Sequence, residues 1–326
     1  MKNLKKTVVL SLLAALFACS AIRAGETIKI GHNLVESHSI HQALLQFGKD
    51  IEQESQGRFV VQIFPNAVLG NDTAMIEQLQ GGLLQFMKVA ASFLDSFEDT
   101  YSILSIPYLF ESPGHFYRVM DSDLVRPIYE SSAGSDFLGL TYFTSGGRSF
   151  YTSSRPILKP ADMAGMKIRV MPSPTSIEMV QLLGAHATPL PYGDVYTALQ
   201  QGLLDGAENS EMALIDMKHG EVAKHYAYDI HTMIPDLLIV SAEFWNDLSD
   251  ADKAMFERAA KKATKMQIEL WDDGIEAAKK EASEKMGVEF HEVDKKPFQD
   301  AVRPILDQAM KNPAKAEIIK AIVAVR

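Results

Sequence analysis

Gly165-Met-Lys-Ile-Arg-Val-Met-Pro-Ser-Pro174 decides how the chain is read. Met166 to Val170 reads as a strand, and Ser173 and Pro174 are the residue types that cap a helix and open its first turn. The helix that follows carries Ile177, Val180 and Leu183 on one face. Arg169 therefore stands where a strand gives way to a helix. In an α/β sheet that is the edge where ligands collect, next to a helix N-terminus that favours anions. Its guanidinium is a rigid fork that matches the two oxygens of a carboxylate. The competing reading is a salt bridge between lobes or at the surface.

Working outward, strand and helix keep alternating. Downstream come Thr188 to Pro191, a helix over Val195 to Gln200, and Leu203 to Glu208. Upstream lie strands at Leu138 to Phe143 and Ser149 to Thr152, where the pattern restarts after Gly134. Nearer the N-terminus, Thr27 to Ile30 alternates as a half-buried strand. Ile40, Ala43, Leu44, Phe47 and Ile51 then recur at helical spacing up to Gly57. Phe59 to Phe64, a helix capped at Asn71 or Asp72 carrying Met75, Ile76 and Leu79, and an apolar run from Leu83 to Ala90 complete a first half. Two similar α/β halves are implied. From Ser249 to Met286 runs one proline-free, charged helical pattern, ~57 Å long at 1.5 Å per residue. Its apolar residues keep no strict heptad, so it is read as a spine along both halves and not as a coiled coil.

Composition narrows the function. The chain has 326 residues, 47% of them hydrophobic, and 32 basic against 42 acidic side chains. That is enough for a large core and lacks the basic footprint of a nucleic-acid binder. The single cysteine, Cys19, excludes an internal disulfide and multi-cysteine zinc or iron–sulfur sites. Residues 1–24 read as a signal peptide: lysines at 2, 5 and 6, an apolar core too short to span a bilayer, and small residues ending at Ala24. Cleavage there removes four basic residues and no acid, leaving 28 against 42 and a net charge of −14. The expected product is periplasmic and cysteine-free. A lipid anchor at Cys19 ranks lower, because Phe17 is atypical of that cleavage box.

The G-x-S-x-G, G-x-x-x-x-G-K-S/T, H-E-x-x-H and G-x-G-x-x-G patterns are absent from the sequence. His32, His38 and His41 lie close enough to raise a metal site, but no third fixed ligand can be named, and no metal or cofactor is expected. Acid pairs such as Asp272-Asp273 read as a solvated helix face.

Further motifs set Arg169 in context: Leu69-Gly-Asn-Asp72, Gln80-Gly-Gly82, Ile106-Pro-Tyr-Leu-Phe110, Leu183-Gly-Ala185, Thr188-Pro-Leu-Pro191, Asp194-Val-Tyr-Thr-Ala-Leu-Gln200 and Gly202-Leu-Leu-Asp-Gly-Ala-Glu-Asn209. In order and spacing the chain resembles the solute-binding proteins of tripartite ATP-independent periplasmic (TRAP) transporters, the DctP type. The resemblance implies a two-lobed, periplasmic-binding-protein-like α/β fold with a long helix spanning both lobes. It divides the chain into a first lobe of 25–146 with 235–274 and a second of 147–234 with 275–326. It also implies a non-enzymatic receptor that closes on a small organic acid and delivers it to the membrane subunits of the transporter.

Carried over by position, the family's carboxylate-binding arginine matches Arg169, and a second ligand-facing arginine matches Arg148. Asn209 reaches the same carboxylate from the other side, His32 and Asn33 follow the first strand, Asp72 contacts polar solute atoms, and Tyr192 covers the ligand. Pro172 and Ala90 replace the asparagine and glutamate of some sialic-acid binders. Arg148-Ser-Phe-Tyr-Thr152, the Ser173 to Met179 segment, Lys88 and His231 to Asp236 look more like sugar-acid binders. A hexuronate or aldonate is expected, with Asn33, Asp72, Glu77, Lys88 and Asp236 serving its hydroxyls. The alternative ligand is a C4-dicarboxylate such as succinate. Each polar position has a plainer reading: Asp72 as a helix cap, Glu77 as a solvated helix residue, Lys88 as a salt bridge, Asp236 as a hinge contact. An exported sugar-acid enzyme and a sensory binding protein are the competing functional classes.

Overall fold

The computed structural model describes residues 25–326, so the expected signal peptide and Cys19 lie outside the described residues. The first half runs β1 (Glu26–Gly31), α1 (Ser39–Glu54), β2 (Phe59–Phe64), α2 (Asp72–Gln80) and β3 (Phe86–Ala90). Short helices α3 (Ala91–Leu94), α4 (Pro113–Met120) and α5 (Arg126–Ser131) lead to β4 (Phe137–Phe143). Through 144–147 the chain crosses into a second sheet. There it forms β5 (Arg148–Thr152), β6 (Lys167–Val170), α6 (Pro174–Leu182), β7 (His186–Pro189), α7 (Val195–Gln200), β8 (Gly206–Asn209), α8 (Met212–Asp216) and β9 (His225–Thr232). It crosses back through 233–235 into β10 (Asp236–Ser241), α9 (Ala242–Asp247), α10 (Asp250–Met286), β11 (Glu289–His291), α11 (Lys296–Ala309) and α12 (Pro313–Ala324).

The sheets have orders β2-β1-β3-β10-β4 and β11-β9-β5-β8-β6-β7. In each, a strand next to a crossing is inserted antiparallel: β10 between β3 and β4, and β5 between β8 and β9. The remaining core pairs, β1 with β2 and β3 and β6 with β7 and β8, are parallel. This is the two-lobed α/β architecture that the sequence implies.

Local chemistry places the helix ends. Asn71 accepts from Ala74 N and caps α2, so Asp72 is the first helical residue and not the cap. Ser173 accepts from Ser176 N at the start of α6, with Pro174 in the first turn as expected. Ser249 accepts from Asp252 N to start α10, and Gly287, left-handed at φ 69°, ends it. Its 37 residues bridge both lobes. Met255, Phe256, Ala259, Ala260 and Ala263 pack into the first lobe's core, and Ala282 packs into the second's. Packing places α11 on the second lobe through Phe298 and Val302. By contrast, α12 returns to the first, where Ile319 and Ile322 join the core and His115 Nε2 hydrogen-bonds the Ile322 carbonyl at 3.0 Å. The division by resemblance, which gives 275–326 to the second lobe, differs from the packing over this last helix.

Phe256 ties the spine to the first sheet. Its ring lies 5.4 Å from Phe86 and 5.3 Å from Phe59, and its side chain is fully buried. Replacing it by alanine, Phe256→Ala, should cost about 3–5 kcal/mol of stability. Urea unfolding followed by far-UV dichroism checks this.

Candidate functional site

The carboxyl ends of the parallel strands in both sheets point toward one cleft between the lobes, the place where open α/β sheets bind ligands. The first lobe supplies Asn33 just after β1, Lys88 and Ala90 from β3, and Asp236 from β10. The second lobe supplies Arg148 from β5, Arg169 from β6, Tyr192 after β7, Asn209 from β8 and Asp216 from α8. The cleft is lined by a mixture of polar and apolar side chains drawn from both lobes, the kind of lining a small-molecule site has.

Arg169 is the core of the site. It is 1% exposed, its Nε donates to the Leu190 carbonyl at 2.9 Å, and its guanidinium lies 5.8 Å from the centre of the Tyr192 ring. Its Nη2 is buried without a hydrogen-bond partner, and no carboxylate among the described residues comes within ion-pair distance. Burial lowers its pKa, against the pull of Glu208, but a guanidinium remains charged. One positive charge thus stands uncompensated.

The other cations of the cleft are already paired. Arg148 Nε and Nη2 grip the Glu208 carboxylate at 2.6 and 2.9 Å, and Nη1 donates to Asn209 Oδ1 at 3.0 Å. Lys88 Nζ pairs with Asp236 Oδ1 at 2.9 Å, and Ser145 Oγ donates to Oδ2 of the same carboxylate. Burial alone would raise the Asp236 carboxyl, but Lys88 and then Ser145 hold it below its ordinary value. Lys88 therefore does form the salt bridge considered for it, inside the cleft wall. Behind Arg148, His231 Nδ1 lies 2.7 Å from Asp229 Oδ2. Its Nε2 is 3.5 Å from Glu208 Oε2, long for a hydrogen bond but close for a charge. Two cations and two anions balance in this buried group.

The remaining residues expected at the site divide. Asn33 lines the cleft: its Nδ2 donates to Asp72 Oδ2 at 2.8 Å while its Oδ1 is buried and unpaired. Asp72 lies one layer behind it, and burial raises its carboxyl against the pull of Lys88 and Asn33. Asn209 Oδ1 accepts from both Arg148 and the Ser210 N–H, which leaves its amide nitrogen free to donate. Tyr192 lies against Arg169. Two expectations are corrected. Glu77 is exposed on α2, away from the cleft. His32 is fully buried, with Nε2 3.0 Å from His41 Nδ1 and its Nδ1 accepting from Leu34 N; burial drives its pKa to about 3. It supports the β1 turn and does not face the ligand space. His38 caps α1 by accepting from Ile40 N, so the three N-terminal histidines are used in folding that corner.

Sequence reasoning missed Asp216, Trp271, Ser145, Phe93 and Met171, all of which line the cleft. Two of these carry a signal. Asp216 ends the otherwise apolar run Met212-Ala-Leu-Ile-Asp216, and Trp271 interrupts the charged face of α10. Asp216 Oδ2 is buried and unpaired, and burial pushes its carboxyl up to about 6. Contacts also cross between lobes outside the cleft. Ser173 Oγ donates to Asp95 Oδ2 at 2.6 Å, and the Tyr108 N–H donates to the His231 carbonyl at 2.8 Å.

A single unpaired cation between two hinged α/β lobes defines a binding protein for a small anion. The model for bacterial extracellular solute-binding protein, family 7 (DctP), matches residues 30–312, and the chain belongs to that family. The resemblance read from the motifs is thereby borne out, and the family is one of receptors, not of enzymes. The chain is 40% identical over 305 residues to the protein YiiZ of Salmonella typhimurium, covering 93% of each. It also matches the crystal structure of a TRAP periplasmic solute-binding protein from Anaerococcus prevotii with bound α/β-D-glucuronate. The TM-score is 0.89 at 39% identity, covering 91% of this chain and 97% of that one. A Bradyrhizobium TRAP solute-binding protein in complex with α/β-D-galacturonate matches with TM-score 0.89 at 33% identity, covering 91% and 99%.

The buried charge group makes a pH prediction. Burial alone would raise Glu208 and lower His231, but Arg148 holds Glu208 at about 2, and Asp229 with Glu208 lifts His231 to about 9. Glu208 therefore contributes stability in full above its unfolded value of 4.5, lost as pH falls toward about 2. His231 contributes in full below its unfolded value of 6.5, lost as pH rises through about 9. The melting temperature of His231→Gln should fall furthest below wild type under pH 6.5, and the gap should shrink by pH 9. Thermal melts of both proteins across that range check this.

Proposed function

We propose that this chain is the periplasmic receptor of a TRAP transporter, that it captures a hexuronate such as D-glucuronate or D-galacturonate by closure of its lobes, and that it hands the sugar acid to the transporter's membrane subunits. The carrying observation is Arg169, buried in the cleft with an unpaired Nη2. A buried charge demands a counter-charge, no carboxylate among the described residues pairs with this one, and the carboxylate of a bound solute would provide it.

The charge count favours one carboxylate over two. With Arg148 neutralised by Glu208 and Lys88 by Asp236, a dicarboxylate would bring a second anion with no free cation to meet it. The unpaired acceptors Asn33 Oδ1 and Asp216 Oδ2 instead suit hydroxyl donors. Phe93, Met171 and Trp271 offer apolar surface to the carbon face of a sugar ring. The solved relatives with bound glucuronate and galacturonate support the same ligand class. The family's extracellular placement and the signal-like residues 1–24 support export. Arg169 would clamp the carboxylate, the Asn209 amide would donate to it, and Tyr192 would cover it. Because Asn33 and Arg169 belong to different lobes, such a ligand binds the closed arrangement more tightly and shifts the population toward it.

Isothermal calorimetry with D-glucuronate, D-galacturonate and succinate tests the reading. Wild-type protein should bind a hexuronate in preference to succinate, and Arg169→Ala should lose about 2–5 kcal/mol of affinity with its melting curve still cooperative. Near-normal binding by that variant refutes the assignment. A second measurement concerns Asp216, whose carboxyl burial pushes up to about 6 and which accepts more strongly from a hydroxyl once ionised. Hexuronate affinity should rise from pH 5 to pH 8 in wild type, and that rise should be flattened in Asp216→Asn.

A further inference from the structure

A second convergence of ligating atoms lies outside the cleft, on the outer edge of the second sheet. β11 is only three residues long and pairs in parallel with β9, Glu289 opposite His225 and His291 opposite Ala227. Residues two apart on a strand share a face, so Glu289 and His291 project together over the same side as His225. His225 Nδ1 is 3.2 Å from His291 Nε2 and 3.6 Å from Glu289 Oε2, and that oxygen is 3.9 Å from His291 Nε2. The same three atoms define all three distances.

Hydrogen bonding accounts for this triangle poorly. Between two neutral imidazoles only one nitrogen can donate to the other, which leaves an acceptor facing the carboxylate. Among the described residues, these two rings are the only basic groups within ion-pair distance of Glu289. A cation at the centre satisfies every lone pair at once. Tetrahedral zinc, bound at about 2.0–2.2 Å to nitrogen and oxygen, holds neighbouring ligand atoms ~3.3–3.5 Å apart. The observed edges lie within a few tenths of an ångström of that spacing, and the longer two both involve Glu289, the most exposed side chain of the three. Two imidazoles and one carboxylate are also a donor set that suits borderline divalent ions.

We propose that His225, Glu289 and His291 bind a zinc ion, with water as the fourth ligand, and that the ion staples β11 to β9 where the chain leaves α10. The site is independent of the solute cleft and shares no residue with it. Because β11 is so short, the metal would fasten a strand that backbone pairing alone holds by few bonds.

The test uses untagged, chelator-stripped protein titrated with zinc chloride by calorimetry, with thermal melts in parallel. Wild type should take up one zinc ion per chain and melt at a higher temperature with zinc than without. His291→Asn and Glu289→Gln should each weaken binding by roughly 10- to 100-fold or more and abolish the zinc-dependent rise in melting temperature. Far-UV dichroism reports folding of both variants, and exposed Glu289 tolerates its substitution without touching the core. Absence of saturable zinc binding in wild type overturns the proposal. So does unchanged affinity in Glu289→Gln together with His291→Asn, because the ion would then reside elsewhere.

Discussion

A guanidinium removed from water and left without an anion is the constraint around which this molecule is arranged. Arg169 is carried there by backbone: β6 ends beside it, Leu190 fixes its Nε, and Tyr192 closes over its plane. The other two cations of the cleft wall are answered from within the chain, Arg148 by Glu208 and Lys88 by Asp236. Side-chain pairing thus silences both of them and leaves the Arg169 guanidinium as the cation of the cleft wall without an ion-pair partner among the described residues.

That arrangement also separates productive closure from closure on nothing. In the described arrangement Arg169 Nη2, Asn33 Oδ1 and Asp216 Oδ2 are buried unmet, each at a cost of order 1–3 kcal/mol or more for the charge. Hydrogen bonds that join the lobes outside the cleft include Ser173 to Asp95, the Tyr108 N–H to the His231 carbonyl and the Tyr108 hydroxyl to the Asp229 carbonyl, worth about 1 kcal/mol apiece. A ligand that meets the orphaned atoms relieves that cost.

Much of this is legible in the amino-acid order, for identifiable reasons. The β6–α6 junction announces itself because capping is local: Ser173 and Pro174 act within one turn. The spine over Asp250–Met286 is legible because it lacks proline and has a serine before it and a glycine after it. The insertion of β10 between β3 and β4 is not, since strand pairing across about 150 residues leaves no mark in a local pattern. The return of α12 to the first lobe is hidden for the same reason. At the site, Arg169 and Asn209 can be placed from their motifs. The partner of Arg148 escapes a local reading although Glu208 precedes Asn209 directly, because β5 and β8 become neighbours only in the folded sheet. His32 and Glu77 are misplaced by such a reading because residue type and proximity do not reveal which way a side chain points.

The first crossing between sheets has one more implication. Gly146 takes φ +67°, and a β-carbon built there would stand 2.9 Å from the Trp271 ring. The connection there is consequently bare main chain laid against an indole that belongs to the spine. The crossing strand thus passes the spine at a distance that only a residue without a side chain allows. A methyl group at that point would act as a wedge between the crossing strand and the indole, prising the first connection off the helix that spans both halves.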